Sequence, residues 1–97
     1  MSSPLWALIE TPVYARALRR FLRKHPHLKR AHAEVIRLLS RDPHATALRL
    51  HPLGGELAGQ YAVSVTYNYR ITVTLKLVEH EIILLNIDSH DEVYGNH

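Results

Sequence analysis

The sequence contains no cysteine, so disulfides and thiolate metal sites are excluded and nothing indicates an oxidising compartment. It also lacks any apolar run that approaches the ~18 residues needed to span a bilayer. The first residues, Met1-Ser2-Ser3-Pro4, lack the basic start and the apolar stretch of a signal peptide. Together these absences predict a cytoplasmic protein.

The length of the chain limits its architecture. Its 97 residues suit one domain, spanning residues 1–97, and leave little room for a second. Apolar residues make up 46% of the sequence, which is enough for a single core. Because such a core is thin, we expect two packed layers of secondary structure.

The charge of the sequence is distributed unevenly. Residues 1–41 hold nine Lys and Arg against two Asp and Glu, a net charge of +7, whereas residues 42–97 hold three against seven, a net charge of −4. A basic half of this density suits a polyanion such as RNA. An ordinary solvated helix surface would give the same pattern, so charge alone leaves both interpretations open.

The first half of the sequence predicts two helices. Thr11 and Pro12 suit the N-cap and the first position of a helix, and apolar residues then recur at helical spacing: Tyr14, Ala17, Leu18, Phe21 and Leu22. This helix ends before Pro26, because the residue preceding a proline disfavours the helical region. A second helix is expected over residues 28–40. The connection is so short that the two helices should pack as an antiparallel hairpin.

The second half predicts a sheet. Residues 43–60 suit a partly ordered loop, and from Tyr61 the apolar pattern alternates with a period of two. Strands are expected from residue 61 to 66, from 69 to 77 and from 81 to 89. With the apolar stretch at residues 5–9 as a first strand, the order is β-α-α-β-β-β. This is an α+β fold in which an antiparallel sheet packs on the two-helix hairpin.

The two faces of the predicted sheet differ in character. In the last strand, Ile83, Leu85 and Ile87 are expected to face the core. The face turned away from the helices is expected to be open and to display polar side chains, namely Ser64, Arg70, Thr72, Lys76 and His90. A polar, partly basic sheet face is typical of a binding surface.

Eight histidines are present, and two of them lie at ends of the predicted sheet. His51 precedes it and His90 follows its last strand, where loops commonly present functional side chains above a rigid frame. No histidine pair has close metal-ligand spacing with supporting ligands, so we expect no metal and no other cofactor.

Cleavage of RNA without a metal requires a group that removes the proton of the ribose 2′-OH, a group that protonates the leaving 5′-oxygen, and a positive charge at the phosphorane. Histidine serves as base or acid near neutral pH, and arginine binds phosphate in a bidentate manner. His51, His90 and Arg70 meet these requirements, and Tyr94 could stack on a base. The alternative is that His90 and Tyr94 merely close the last strand.

Three segments carry a resemblance to a known family. Residues 50–59 (LHPLGGELAG), 64–71 (SVTYNYRI) and 83–94 (ILLNIDSHDEVY) resemble, in this order, the loop, the hairpin and the C-terminal segment of RelE/ParE superfamily toxins, closest to the RelE/StbE and YafQ-like group. The Thr-Pro start of the first helix and the Leu-Leu-Ser-Arg-Asp-Pro close of the second also resemble the family. The likeness covers almost the whole chain.

The resemblance implies a RelE-like fold and a ribosome-dependent mRNA endoribonuclease that acts without a metal and is held inactive by a cognate antitoxin. It implies acid/base roles for His51 and His90, a contact between Arg70 and the scissile phosphate, and support of the site or the bound base by Tyr94. Lys76 completes the predicted substrate-binding surface with the positions discussed next.

Two positions depart from the pattern of the YafQ-like group. Ser64 replaces a second sheet histidine and Asn68 replaces a catalytic aspartate, and neither side chain takes a proton usefully at neutral pH. We therefore expect both to bind substrate, and two alternatives stay open. One is a weakly active or non-catalytic homologue that binds an antitoxin, and the other is a ParE-like gyrase inhibitor, since one fold supports several functions.

Overall fold

The structure, a computed structural model, describes residues 4–89. In this range it contains a sheet of five strands: β1 (Ala7–Glu10), β2 (His51–Pro52), β3 (Tyr61–Thr66), β4 (Tyr69–Lys76) and β5 (Glu81–Ser89). Two helices cover one face of the sheet: α1 (Pro12–Lys24) and α2 (Lys29–Arg41). The predicted α+β fold, with a helical hairpin packed on a sheet, is confirmed.

Helix α1 begins and ends where the sequence predicts. The Thr11 hydroxyl caps it by accepting the N–H of Tyr14 at 3.1 Å, and the N–H of His25 donates to the carbonyl of Phe21 at 2.8 Å. A single 3-10 turn (Pro26–Leu28) then leads into α2, which begins one residue later than predicted. The short connection joins the two helices as the expected helical hairpin.

The strand order is β1-β5-β4-β3-β2. Strands β3, β4 and β5 form the predicted antiparallel meander. Two features differ from the expected pattern. Strand β1 pairs with β5 in parallel, which is possible because all the intervening elements serve as the long crossover that a parallel pair requires. Strand β2, in the segment expected to be a loop, pairs with the start of β3.

A β-bulge changes which side chains of β5 reach the core. Thr72 pairs with Asn86 but its neighbour Val73 pairs with Leu84, so Leu85 is the extra residue. A bulge interrupts the strict alternation of a strand. The prediction that Ile83 and Leu85 are buried is therefore wrong, and the buried side chains of β5 are Ile82, Leu84 and Ile87.

The main core lies between the helices and the sheet, where Tyr14, Leu39, Val63 and Ile71 are fully buried. A smaller cluster forms on the opposite face, where Leu53 and partly buried Leu57 pack with Ala62. Within the described range, no helix is long and apolar enough to cross a membrane.

The expectation of an open polar sheet face requires a correction. Arg70 and Thr72, which belong to that face, have only 8% and 6% of their surface exposed. The segment around β2 packs beside them on Ala62, the cross-strand neighbour of Thr72. In the middle of the sheet, the side chains of β3 and β4 are thus buried on both faces.

Candidate active site

The first residue of β2, His51, is oriented by the backbone that precedes it. Its Nδ1 lies 2.9 Å from the carbonyl oxygen of Arg49. Because a carbonyl can only accept, Nδ1 donates in this contact, which makes Nε2 the ring nitrogen suited to exchange a proton. Arg49 adopts the left-handed conformation, with φ 53°, at the end of a 3-10 turn. The fold thus presents an imidazole in a defined tautomer, as a general base requires.

Strand register places several predicted residues on the same face as His51. His51 pairs with Ala62, and Ala62 pairs with Thr72. In the next row on that face, Ser64 pairs with Arg70. Arg70 is therefore two strands across and two residues along from His51, roughly 10 Å and 7 Å at ordinary sheet spacing. His51, Ser64 and Arg70 therefore belong to one face of the sheet.

Arg70 is held by the β3–β4 hairpin. Its Nη1 donates to the carbonyl oxygens of Thr66, Tyr67 and Tyr69 at 2.7, 2.9 and 3.1 Å. Its Nε is buried and has no hydrogen-bond partner among residues 4–89. The displayed guanidinium fork expected from the sequence is not the arrangement found, because the hairpin carbonyls, which need donors, bind one end of it. The positive charge still lies in the row that contains Ser64.

Asn68 and Lys76 lie at opposite ends of β4. Asn68 is exposed in the hairpin turn, where its N–H donates to the Thr66 hydroxyl at 3.3 Å. Lys76 pairs with Glu81 at the other end, roughly 20 Å along the strand from Arg70. The structure thus brings His51, Ser64, Arg70 and Asn68 to one region and leaves Lys76 outside it. His90 and Tyr94 lie outside the described residues.

Asp88 is a polar residue of this region that sequence reasoning did not select. It pairs directly with Arg70 on the neighbouring strand and is half-buried. Its Oδ1 accepts the N–H of Ser89 at 2.8 Å. The alternation of residues in the last strand already indicates the polar face for Asp88, but its pairing with Arg70 is set by the register between β4 and β5, which the pattern of residues does not give.

The electrostatics of the molecule are dominated by the helical layer. Nine basic side chains of α1 and α2 are exposed, and none forms an ion pair among the described residues: Arg16, Arg19, Arg20, Arg23, Lys24, Lys29, Arg30, Arg37 and Arg41. One acidic residue, Glu34, lies within these two helices. A surface of this charge attracts polyanions over distances of about a Debye length, ~8–10 Å at ordinary salt.

The chemistry available in this region is acid/base chemistry beside a fixed positive charge. Within residues 4–89, no group of three or more His, Asp or Glu side chains is placed to hold a metal ion. A histidine of fixed tautomer and a buried guanidinium on one sheet face suit the transfer of a proton next to an anionic group.

Comparison with known proteins identifies the fold. No family model matches the sequence, and no curated protein matches it either. Among solved structures, the chain is similar to the RelBE2 toxin–antitoxin complex from Mycobacterium tuberculosis, with a TM-score of 0.71 and 23% identity over 89% of this chain and 99% of that one.

Two further structures share the fold. YafQ from E. coli has a TM-score of 0.75 and 12% identity over 93% of this chain and 99% of that chain. The YoeB/ParE toxin from Agrobacterium tumefaciens has a TM-score of 0.72 and 19% identity over 87% of this chain and 98% of that one. The chain therefore has the fold of the RelE, ParE and YafQ toxins, as its sequence motifs predict.

Proposed function

We propose that this chain is the toxin of a type II toxin–antitoxin pair and that it cleaves mRNA on the ribosome, in the cytoplasm, without a metal ion. The observation that carries the proposal is His51, whose Nδ1 is bonded to the Arg49 carbonyl so that Nε2 is the basic atom. The fold it shares with RelBE2 and YafQ, and the ordered sequence motifs, support the same conclusion.

The proposed reaction is an attack of the ribose 2′-oxygen on the adjacent phosphorus. One histidine of the pair His51 and His90 takes the 2′-OH proton while the new P–O bond forms. The bond from phosphorus to the 5′-oxygen then breaks, and the other histidine supplies the proton that the leaving oxygen needs. No oxidant, reductant or metal is required for this balance.

The remaining residues bind and stabilise. Arg70 contributes its charge to the phosphorane, and its hydrogen bonds keep the hairpin in place beside the substrate. Ser64 and Asn68 bind the substrate without transferring protons, and Tyr94 supports the bound base. Lys76 is too distant to share a phosphate with Arg70, so any contact it makes is to another part of the RNA.

A cognate antitoxin is the second proposed partner. The structure of E. coli YafQ with DinJ is a toxin–antitoxin complex of this fold. The basic surface of the helices suits an acidic partner segment, because a complementary charge speeds association and selects the partner. Exposed apolar side chains such as Val13 and Ile9, 52% and 39% exposed, would be covered in such a complex.

The test is cleavage of a defined mRNA in purified translating ribosomes, detected by primer extension. We expect cuts with the wild-type chain and a loss of at least about 100-fold with His51→Ala or His90→Ala, the usual contribution of a general acid or base. His44→Ala, an exposed histidine outside the site, is the matched control. Full activity of either site variant would remove that residue from the mechanism.

A non-catalytic, antitoxin-binding homologue is the second candidate, and the hydrogen bonds of Arg70 favour it. Its Nη1 donates to three carbonyls, its Nε is buried, and only 8% of its surface is exposed, so the guanidinium is not displayed for a bidentate contact with a phosphate. This candidate predicts that expression of the wild-type chain is harmless and that mRNA stays intact.

A further inference from the structure

A cleft of about 270 Å³ lies on the helix side of the sheet, between the last two turns of α1 and the end of the sheet. His51, Ser64 and Arg70 lie on the opposite face of the sheet, and Asp88, which pairs with Arg70, also borders the cleft. From α1 the cleft is lined by Arg20, Lys24 and His25, and from the strands by Tyr69, Asp88 and Ser89. Among the described residues, none that the proposed cleavage reaction uses lines this cleft.

The charge of the cleft favours an anion. Arg20 and Lys24 are four residues apart on α1, so their side chains share one face of the helix. Both are exposed, and neither forms an ion pair among the described residues. The one carboxylate of the lining, Asp88, already accepts the N–H of Ser89. The two cations outweigh the one carboxylate in charge, so donors remain available for a phosphate.

One wall of the cleft is aromatic, and its rings pack against one another. The ring centroids of Phe21 and Tyr69 are 5.1 Å apart, those of Phe21 and His25 are also 5.1 Å apart, and those of His25 and Tyr69 are 4.8 Å apart. The Tyr69 hydroxyl lies 3.1 Å from Nε2 of His25, which fixes the two rings relative to each other. Flat rings beside cations are the combination that binds a nucleotide through its base and its phosphate.

We propose that this cleft binds one nucleotide unit, with its phosphate on Arg20 and Lys24 and its base or sugar against His25 and Tyr69. The volume lies just below the ~300–1,000 Å³ of ordinary small-ligand sites, so it admits a single unit. The unit can come from an RNA strand or from a free nucleotide. Among residues 4–89, no side chain assigned a role in cleavage lines the cleft, so loss of nucleotide binding here would leave the proposed nuclease untouched.

The experiment is a titration of the full-length chain, followed by two-dimensional ¹H–¹⁵N NMR, with AMP, UMP, adenosine, inorganic phosphate and a short RNA. Signals of residues 20–25, Tyr69 and Ser89 should shift together with AMP or UMP. Adenosine and inorganic phosphate should each bind at least several-fold more weakly, because each lacks half of the ligand. Stronger binding of the RNA than of AMP assigns the site to an RNA strand, and the reverse assigns it to a free nucleotide.

Variants distinguish a site from general attraction to basic helices. Arg20→Gln and Lys24→Gln should each weaken nucleotide binding about tenfold, the loss expected for one charge-assisted hydrogen bond. Arg16→Gln makes the same change of charge on an exposed position of α1 outside the cleft, and it should leave binding within about twofold. Equal weakening in all three variants, or shifts spread over both helices, would overturn the proposal. Binding of inorganic phosphate as tight as that of AMP would overturn the nucleotide assignment.

Discussion

The hydroxyl of Tyr14 and Nε2 of His32 lie 2.6 Å apart in the interface between α1 and α2. Tyr14 is fully buried, and His32 is half-buried beside it. Burial raises the pKa of Tyr14, and the nearby Glu10 raises it further. Burial lowers the pKa of His32, against a smaller opposite effect of Glu10. Both shifts favour the neutral pair, in which the tyrosine hydroxyl donates to the imidazole nitrogen.

The pH dependence of stability follows from this pair. Because His32 has a folded-state pKa below its ordinary value of 6.5, the unfolded chain binds more protons below pH 6.5. The free energy of unfolding should therefore fall as the pH drops below 6.5 and level off beneath the lowered pKa. Because the pKa of Tyr14 is raised, stability should also fall as the pH rises beyond 10. Urea denaturation at a series of pH values measures both limits. If a His32→Gln variant lost the same amount of stability below pH 6.5 as the wild-type chain, the role of His32 would be refuted.

Removing the Tyr14 hydroxyl isolates the hydrogen bond from the packing. Tyr14→Phe keeps the ring and leaves the His32 nitrogen without its donor, so we expect a loss of about 1–3 kcal/mol in the free energy of unfolding. Tyr67→Phe is the matched control because Tyr67 is 84% exposed, and it should cost less than about 0.5 kcal/mol. Equal effects of the two variants in urea denaturation would contradict the account.

Arg70 should matter for the stability of the hairpin as well as for activity. Arg70→Met removes the donor to three backbone carbonyls, so we expect the free energy of unfolding to fall by about 2–4 kcal/mol. This is less than three separate hydrogen bonds would contribute, because one nitrogen serves all three carbonyls. In a chain of this size that loss lowers the melting temperature by roughly 8–20 °C. Amide hydrogen exchange at Tyr67 and Asn68 should accelerate in the same variant. Arg37→Met, an exposed basic position on α2, should change neither quantity.

Thr11 joins the start of α1 to β5. Its Oγ1 accepts the N–H of Tyr14 at 3.1 Å and donates to the carbonyl of Leu84 at 2.8 Å. Thr11→Ala removes both bonds and should cost about 1–2 kcal/mol, whereas Thr11→Ser retains them and should cost less than half as much. Chemical denaturation of the two variants measures this difference. Equal stability of Thr11→Ala and Thr11→Ser would show that the hydroxyl does not stabilise the fold.

Much of the fold was predictable because it rests on local patterns. The bounds of α1 follow from Thr11, Pro12 and Pro26, and the ends of β5 were predicted correctly from the alternation of its residues. The parallel pairing of β1 with β5 and the bulge at Leu85 depend on partners far away in the sequence. Local periodicity carries no information about such partners.

The candidate site was predictable to a smaller extent, for the same reason. The type of residue at His51 and Arg70 is visible in the sequence, but the Arg49 carbonyl that orients the first and the hairpin carbonyls that hold the second are not. Backbone groups are present at every position, so only the fold shows which of them a side chain meets. The Tyr14–His32 pair was missed because the two residues lie on separate helices, and their helical spacing indicates only which face each occupies.

The central claim is cleavage by the adjacent 2′-hydroxyl, and the chemistry of the cut ends tests it most directly. Attack of the 2′-oxygen closes a ring on the phosphorus and expels the 5′-oxygen. The products of wild-type cleavage on translating ribosomes should therefore carry 2′,3′-cyclic phosphate and 5′-hydroxyl ends, and His51→Ala should abolish both. Fragments with 5′-phosphate and 3′-hydroxyl ends, or intact mRNA beside an inhibited gyrase, would contradict the account.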